Sequence, residues 1–382
     1  MKKINLLIVL ILAILSLNQI AYAQNSTDGE ITKTFKVNPG GTLKVEVDPG
    51  EIIISTWDKN EVLVKVTGLE DKDLQNVDMK QTGNNVNVNF DSEWGWSDDA
   101  KFMISIPRKF SVNIETSGGD IQIKGDIEGN TDVSTMGGDI RLSNIKGDVT
   151  GNTMGGDIRT GDITGKCKLK TMGGDIKLGQ LKNGLADVTT MGGDINIKGV
   201  GSSITAKTYG GDIEVGNIGG DATVTTFGGD IKLGTVTGNA KVDTYGGDIS
   251  LKSASGKIFA DTKGGDITLK NISGVVDAKT AGGDIYVEII SLGKDKSNIK
   301  TSAGDITLYI SSNIKATIEA EIKIKGKRDK EDELKIFSEF STSNYNIDES
   351  GKKITATYNL NGGGKKIFLN TTNSIIKIKK LN

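Results

Sequence analysis

The tripeptide Gly-Gly-Asp recurs with its Asp at Asp120, Asp139, Asp157, Asp175, Asp194, Asp212, Asp230, Asp248, Asp266 and Asp284, and an Ala-Gly-Asp variant follows at Asp305. The steps between successive Asp residues are 18 residues, save two of 19 and a last one of 21. So regular a period marks a repeat array, in which each unit buries its apolar face only against its neighbours.

Counted from the Gly pair, the repeat reads G-G-D-I-x-L-x-x-I-x-G-x-A/V-x-V-x-T-x. The unit at Gly228 supplies Asp230, Ile231, Leu233, Val236, Gly238, Ala240, Val242, Thr244 and Tyr245. Apolar and polar residues alternate at period two in two short runs per unit, the pattern of two strands with one buried face each. Gly falls at both corners, where the chain needs positive φ or room for a neighbouring coil. Stacking such coils at about 4.8 Å turns every repeat position into a ladder. The expected fold is therefore all-β, a β-solenoid (β-helix) of about eleven 18-residue coils with β-rich N- and C-terminal caps. Its inner ladders are Ile140, Ile158, Ile176, Ile195, Ile213, Ile231, Ile249 and Ile267, with Leu142, Leu178, Leu233, Leu251 and Leu269 two residues on.

Composition agrees with this reading. Of 382 residues 51 are Gly and only three are Pro, the hydrophobic share is 36 % and the net charge is −2, so the glycines punctuate turns rather than a disordered tract. The absence of His and the single Cys167 exclude Ser-His-Asp and Cys-His nucleophile systems, His- and Cys-based zinc sites, and an intrachain disulfide. Cys167 falls on the Ala/Val rung and reads as a small buried hydrophobe rather than a reactive thiol.

Four segments are expected: a signal peptide over 1–23, an N-terminal β cap over 24–115, the Gly-Gly-Asp coils over 116–310 and a C-terminal β cap over 311–382. Lys2 and Lys3, the apolar run from Ile4 to Leu17 and Ala21-Tyr22-Ala23 form the three parts of an export signal, with cleavage near Ala23. The mature chain is then exported to the periplasm, cell surface or medium, with no later run apolar enough to span a membrane. In the caps, Leu43 to Val47 and Val62 to Val66 alternate as strands, Lys325 to Glu333 reads as an exposed loop and Ile375 to Ile378 as a last strand. Lys and Arg outnumber Asp and Glu after Ile299, whereas the body is acidic. The basic tail suits an anionic polymer or lipid surface, and equally the routine protection of strand edges by Lys.

Pro49-Gly50-Glu51-Ile52-Ile53-Ile54-Ser55-Thr56-Trp57-Asp58, the Gly-Gly-Asp-Ile coils, and Asn361-Gly362-Gly363-Gly364 ahead of Ile375-Ile376-Lys377-Ile378 resemble the bacterial β-strand-repeat family labelled "putative adhesins" (domain of unknown function 4097). The resemblance spans nearly the whole mature chain. It implies attachment at an extracytoplasmic surface and brings no catalytic motif.

Four constellations are candidates for function. Asp139, Asp157, Asp175, Asp194, Asp212, Asp230, Asp248 and Asp266 form a carboxylate row, read either as structural Asx-type turns or as a calcium ladder. Neighbouring carboxylates at 4.8 Å repel by roughly 0.9 kcal/mol in water, and one hydrogen bond from a turn N–H offsets that. The opposite half-coil carries a mixed row, Asn130, Asp148, Lys166, Ser203, Asp221, Asn239 and Lys257, rather than the second Asp of a calcium roll. Met136, Met154, Met172, Met191, Tyr209, Phe227 and Tyr245 precede the Gly pairs on the outer side; they form an exposed partner stripe unless the corner or the terminal segments cover them. Trp94 and Trp96 lie in a polar, Gly-hinged loop, placed either to stack on sugar rings or to cover the end of the core. Thr135, Thr153, Thr171, Thr190, Thr208, Thr226, Thr244, Thr262 and Thr280 point inward, with hydroxyls that join successive coils.

No assembled acid, base and nucleophile is legible, so the expected role is a non-catalytic, adhesin-like, envelope-associated or secreted module. It needs no cofactor, its partner is an envelope glycan or surface protein, and nucleic acid is not expected. Two rivals stand beside it: a scaffold that binds cationic peptides along the acidic body, and a carbohydrate-active β-helix enzyme using acidic residues with Arg141 or Arg159.

Overall fold

The computed structural model describes residues 25–27, 29–92, 100–325, 334–348 and 350–381. The expected signal peptide, both Trp94 and Trp96, and nearly all of the charged stretch 325–333 lie outside the described residues. Two compact units form, residues 1–135 and 136–382.

In the first unit one sheet runs Asn25–Thr27, Glu30–Lys36, Glu61–Thr67, Lys101–Pro107, Glu51–Trp57, Ile121–Lys124, in that spatial order. A second runs Asp78–Thr82, Asn85–Asp91, Gly41–Asp48, Phe110–Thr116, Thr131–Thr135. Alternation directs Leu43, Val45, Ile52, Ile54, Val64, Val88 and Phe102 into the core, fully or almost fully buried. A single turn of helix, Asp71–Leu74, interrupts the strands.

The second unit is a β-solenoid. Strands beginning at Ile140, Ile158, Ile176, Ile195, Ile213, Ile231, Ile249, Ile267, Ile285 and Ile306 pair in parallel, Ile upon Ile. The shorter strands from Val149–Asn152 through Ser297–Lys300 form the facing sheet, also parallel. The Ile and Leu ladders are buried as their period requires, and Cys167 is buried between Val149 and Ala186.

The C-terminal chain order departs from simple succession. Lys365–Thr372 and Ile376–Leu381 lie directly on Ser297–Lys300 and Ile306–Ser311, so the end of the chain forms the next coil. Ala316–Lys323 pairs onto Lys365–Thr372 from the other side, with Lys353–Leu360 and Asn344–Ile347 antiparallel beyond it. Thr371 takes the ladder position of the repeat threonines, its hydroxyl donating to Gly304 O at 2.7 Å.

Coils approach one another closely at the Gly pairs. A Cβ on Gly211 would lie 2.2 Å from Gly193 O of the preceding coil, and one on Gly229 2.1 Å from Gly211 O. The requirement is room, not a left-handed φ. Threonine fastens the same corner: Thr208 Oγ1 donates to Gly193 O at 2.9 Å and accepts the Gly211 N–H at 3.4 Å. The same pair of bonds recurs at Thr153, Thr171, Thr190, Thr226, Thr244, Thr262 and Thr280.

The two glycines of one pair should therefore respond differently to a methyl group. Gly211→Ala is expected to cost about 1–3 kcal/mol by overpacking against backbone. Gly210→Ala, whose Cβ would stand 3.1 Å from Gly192 O, should cost less than about 1 kcal/mol, because the stiffer unfolded chain offsets part of the strain. Equilibrium denaturation of both variants checks the ordering.

Candidate functional site

Each Gly-Gly-Asp corner presents an Asp and an inward Thr, and the seven from Asp139 to Asp248 add an outward Met or aromatic side chain, so the corners generate three parallel ladders. The Asp carboxylates bond between coils. Asp139 Oδ1 accepts the N–H of Asp157 at 2.8 Å, and the pattern continues through Asp157, Asp175, Asp194, Asp212, Asp230, Asp248, Asp266 and Asp284, whose acceptor meets the Asp305 N–H at 2.7 Å. Asp305 Oδ1 closes the series by accepting from Ile375 N. The donor thus sits in the following coil and not in the same turn, which corrects the Asx-turn expectation. The reason is parallel stacking: strand pairing begins only at the Ile after each Asp, so the Asp N–H reaches the carboxylate of the preceding coil instead of a strand carbonyl.

The opposite corner uses the same device with mixed chemistry. Asp148, Ser203, Asp221 and Asn239 accept N–H groups from Lys166, Asp221, Asn239 and Lys257 at 2.7–3.0 Å. A third row was not legible in the sequence: Asn144, Asp162 and Asn217 accept from Asp162, Gln180 and Thr235. Its only signal is a short acceptor five residues after the repeat Asp, blurred where Gln180 and Gly199 occupy that place.

Arg141 and Arg159 each reach the Oδ2 of their own coil's Asp, Asp139 and Asp157, at 2.6 Å. These half-buried surface pairs trim repulsion in the row. Among the described residues no group of three or more His, Cys, Asp or Glu is placed to hold one metal ion.

The outward ladder is solvent-exposed. Met136, Met154, Met172, Met191, Tyr209, Phe227 and Tyr245 retain 46–59 % of their surface. Phe227 and Tyr245 stack with centroids 4.9 Å apart and planes 4° from parallel, so each covers one face of the other. The Lys207 ammonium lies over the Tyr209 ring, 4.8 Å from its centroid. Trp94 and Trp96 are outside the described residues.

Burial, with a smaller contribution from the Asp187 carboxylate, pushes the Cys167 thiol from 9.0 up to about 12. Burial likewise raises the Tyr286 hydroxyl to about 12, followed by its 2.6 Å bond to Glu288. Both shifts lead away from neutral pH, opposite to the tuning of an activated nucleophile or general base. No helix among the described residues is long and apolar enough to cross a membrane.

Comparison with known proteins places this architecture. The family model described as Toastrack DUF4097 matches residues 41–236 and 202–361. The chain belongs to the Toastrack DUF4097 family. The two matches overlap over 202–236, as they can when near-identical coils fit one pattern in more than one register. Among solved structures the chain is similar to a "putative adhesin" from Bacteroides fragilis, with 10 % identity over 93 % of this chain and 98 % of that one and a TM-score of 0.25. It is also similar to a "putative cell adhesion protein" from Clostridium sporogenes, with 8 % identity, 92 % and 99 % coverage and a TM-score of 0.19. A "putative adhesin" from Parabacteroides distasonis gives 11 % identity, 93 % and 98 % coverage and a TM-score of 0.25. No curated protein matches the chain.

Two outcomes follow from the Toastrack corner. Asp212→Asn keeps an acceptor for the Asp230 N–H and should cost about 1 kcal/mol or less, whereas Asp212→Leu strands that N–H and should cost about 1–3 kcal/mol. A chelator should leave the melting temperature of the wild-type protein unchanged, as differential scanning calorimetry can verify. The buried thiol sets a pH dependence of known sign. A folded value above the unfolded one keeps its full stabilisation below pH 9.0 and loses it as pH climbs toward about 12. Cys167→Ala should flatten that alkaline loss in urea titrations, and the native thiol should resist a disulfide reagent at pH 8 that modifies the unfolded chain at once.

Proposed function

We propose that this Toastrack chain is an exported, non-catalytic, adhesin-like module that holds another protein along its outward Met and aromatic ridge. The ridge itself carries the reading: seven large apolar side chains, all about half exposed, stand in one row on consecutive coils of the second unit. Roughly half of ~200 Å² on each gives ~700 Å², close to the ~800 Å² that one partner contributes to a standard protein interface.

A protein partner fits better than a glycan, because Phe227 and Tyr245 already cover one face of each other and the Met side chains adapt to an irregular apolar surface. The export signal at residues 1–23 supports a place outside the cytoplasm. Support for a non-catalytic role comes from the lack of His and from Asp carboxylates already engaged with backbone donors.

The test uses envelope fractions immobilised as protein-bearing, protease-treated and periodate-treated surfaces. Binding should disappear after protease, survive periodate, and fall at least tenfold in the exposed-ridge variant Tyr209→Ser/Phe227→Ser/Tyr245→Ser, with its melting temperature unchanged. Undiminished binding by that variant overturns the reading. So does periodate-sensitive binding, which assigns a glycan, a steep loss with salt, which assigns the cationic-peptide scaffold, or turnover of a uronate polysaccharide lost in Arg159→Ala, which assigns an enzyme.

A further inference from the structure

The closing Asn361-Gly362-Gly363-Gly364 segment has a role in the second unit that the ridge does not use. Asn361, at φ 52°, donates from Nδ2 to the carbonyls of Ser312 and Ile314 at 2.9 and 2.8 Å, fixing the turn ahead of Ala316–Lys323. A Cβ on Gly364 would lie 2.4 Å from Lys315 O, so only glycine lets the two strands begin side by side. Ala316 then pairs with Lys365, which brings Lys365 next to Lys315.

A shallow depression of about 560 Å³ opens there. Lys294, Lys315 and Lys365 line it together with Ile290, Leu292 and Ile314. All three lysines are exposed. The adjacent Lys366 is neutralised by Glu319 at 2.7 Å. Among the described residues no carboxylate pairs with Lys294, Lys315 or Lys365. Three lysines from three chain segments therefore line one space, beside apolar surface that includes Ile290 at 43 % exposure.

We infer that this depression binds a phosphate-type oxyanion carried on a small, partly apolar body, of the glycerol phosphate class. Lysines hold phosphate as mobile point charges, and the isoleucine and leucine side chains cover the carbon skeleton. The inference stands apart from the ridge, which lies on other coils. The same chemistry is presented by a free glycerol phosphate and by the headgroup of an anionic phospholipid.

Two probes separate these sources: glycerol 3-phosphate by titration calorimetry, and co-sedimentation with phosphatidylglycerol vesicles against phosphatidylcholine vesicles, all at low salt. Binding to either probe, but not to phosphatidylcholine, is expected. Lys315→Ser/Lys365→Ser should weaken it at least tenfold and Lys315→Arg/Lys365→Arg should restore it to within threefold, on the scale of about fivefold per lysine. The control Lys198→Ser/Lys232→Ser, on exposed sheet positions, should change it by less than twofold. Calorimetric melting confirms that all three variants fold. Failure to bind both probes, equal losses in the test and control variants, or full binding by the Lys315→Ser/Lys365→Ser variant overturns the assignment.

Discussion

Everything in the solenoid follows from how closely one Gly-Gly-Asp corner sits on the next. At about 2.1–2.2 Å from a carbonyl of the preceding coil, the position that a Cβ would take at Gly211 or Gly229 is already occupied. Only a hydrogen atom fits. That approach brings the Thr208 hydroxyl to Gly193 O and the Asp230 N–H to Asp212 Oδ1, so the corner meets its hydrogen-bonding needs without strand pairing. The strands on either side can then run in parallel register for coil after coil, with Ile on Ile across the core.

The same constraint decides what the polar ladders are for. A row of carboxylates would be a liability were it merely solvated, since like charges repeat at every rung. Here each Oδ1 accepts a backbone N–H from the next coil, and Asn or Ser serves equally well at the opposite corner. Chemistry that one might read as a site is therefore backbone satisfaction. Outward on the coils stands the apolar Met and aromatic ridge, whose exposure no element of the coil requires. A fold that conserves its polar groups so fully makes a bare hydrophobic row stand out as the place where binding energy is available.

Chain order within the ends was the part least visible beforehand. Alternation at Leu43 to Val47 identifies a strand, but nothing local states that it lies between Asn85–Asp91 and Phe110–Thr116. Likewise Ile375 to Ile378 read as a last strand. That it forms the coil immediately after Asp305, with Ala316–Lys323 stacked beyond Lys365–Thr372, depends on contacts some 70 residues apart in sequence. The basin of Lys294, Lys315 and Lys365 exists only because of that rearrangement, and no spacing between those three residues announces it. Similarly, the Asn144, Asp162 and Asn217 acceptor row is too irregular to separate from ordinary surface polarity until the coils are stacked.

The sequence by itself determined the repeat length, the two strands per coil, the inward Ile, Leu and Thr ladders, the burial of Cys167 and the outer position of the Met and aromatic row. Those features are periodic, and a period of two along a strand combined with one of 18 along the chain specifies both the face and the rung of every side chain. Tertiary structure alone decided which coil supplies each Asp with its N–H donor, that Phe227 stacks on Tyr245, and where the C-terminal strands insert. Each of these is a choice between neighbours distant in the chain, settled by coil-to-coil distance and by which backbone groups are left without a strand partner, and neither quantity is written in any local run of residues.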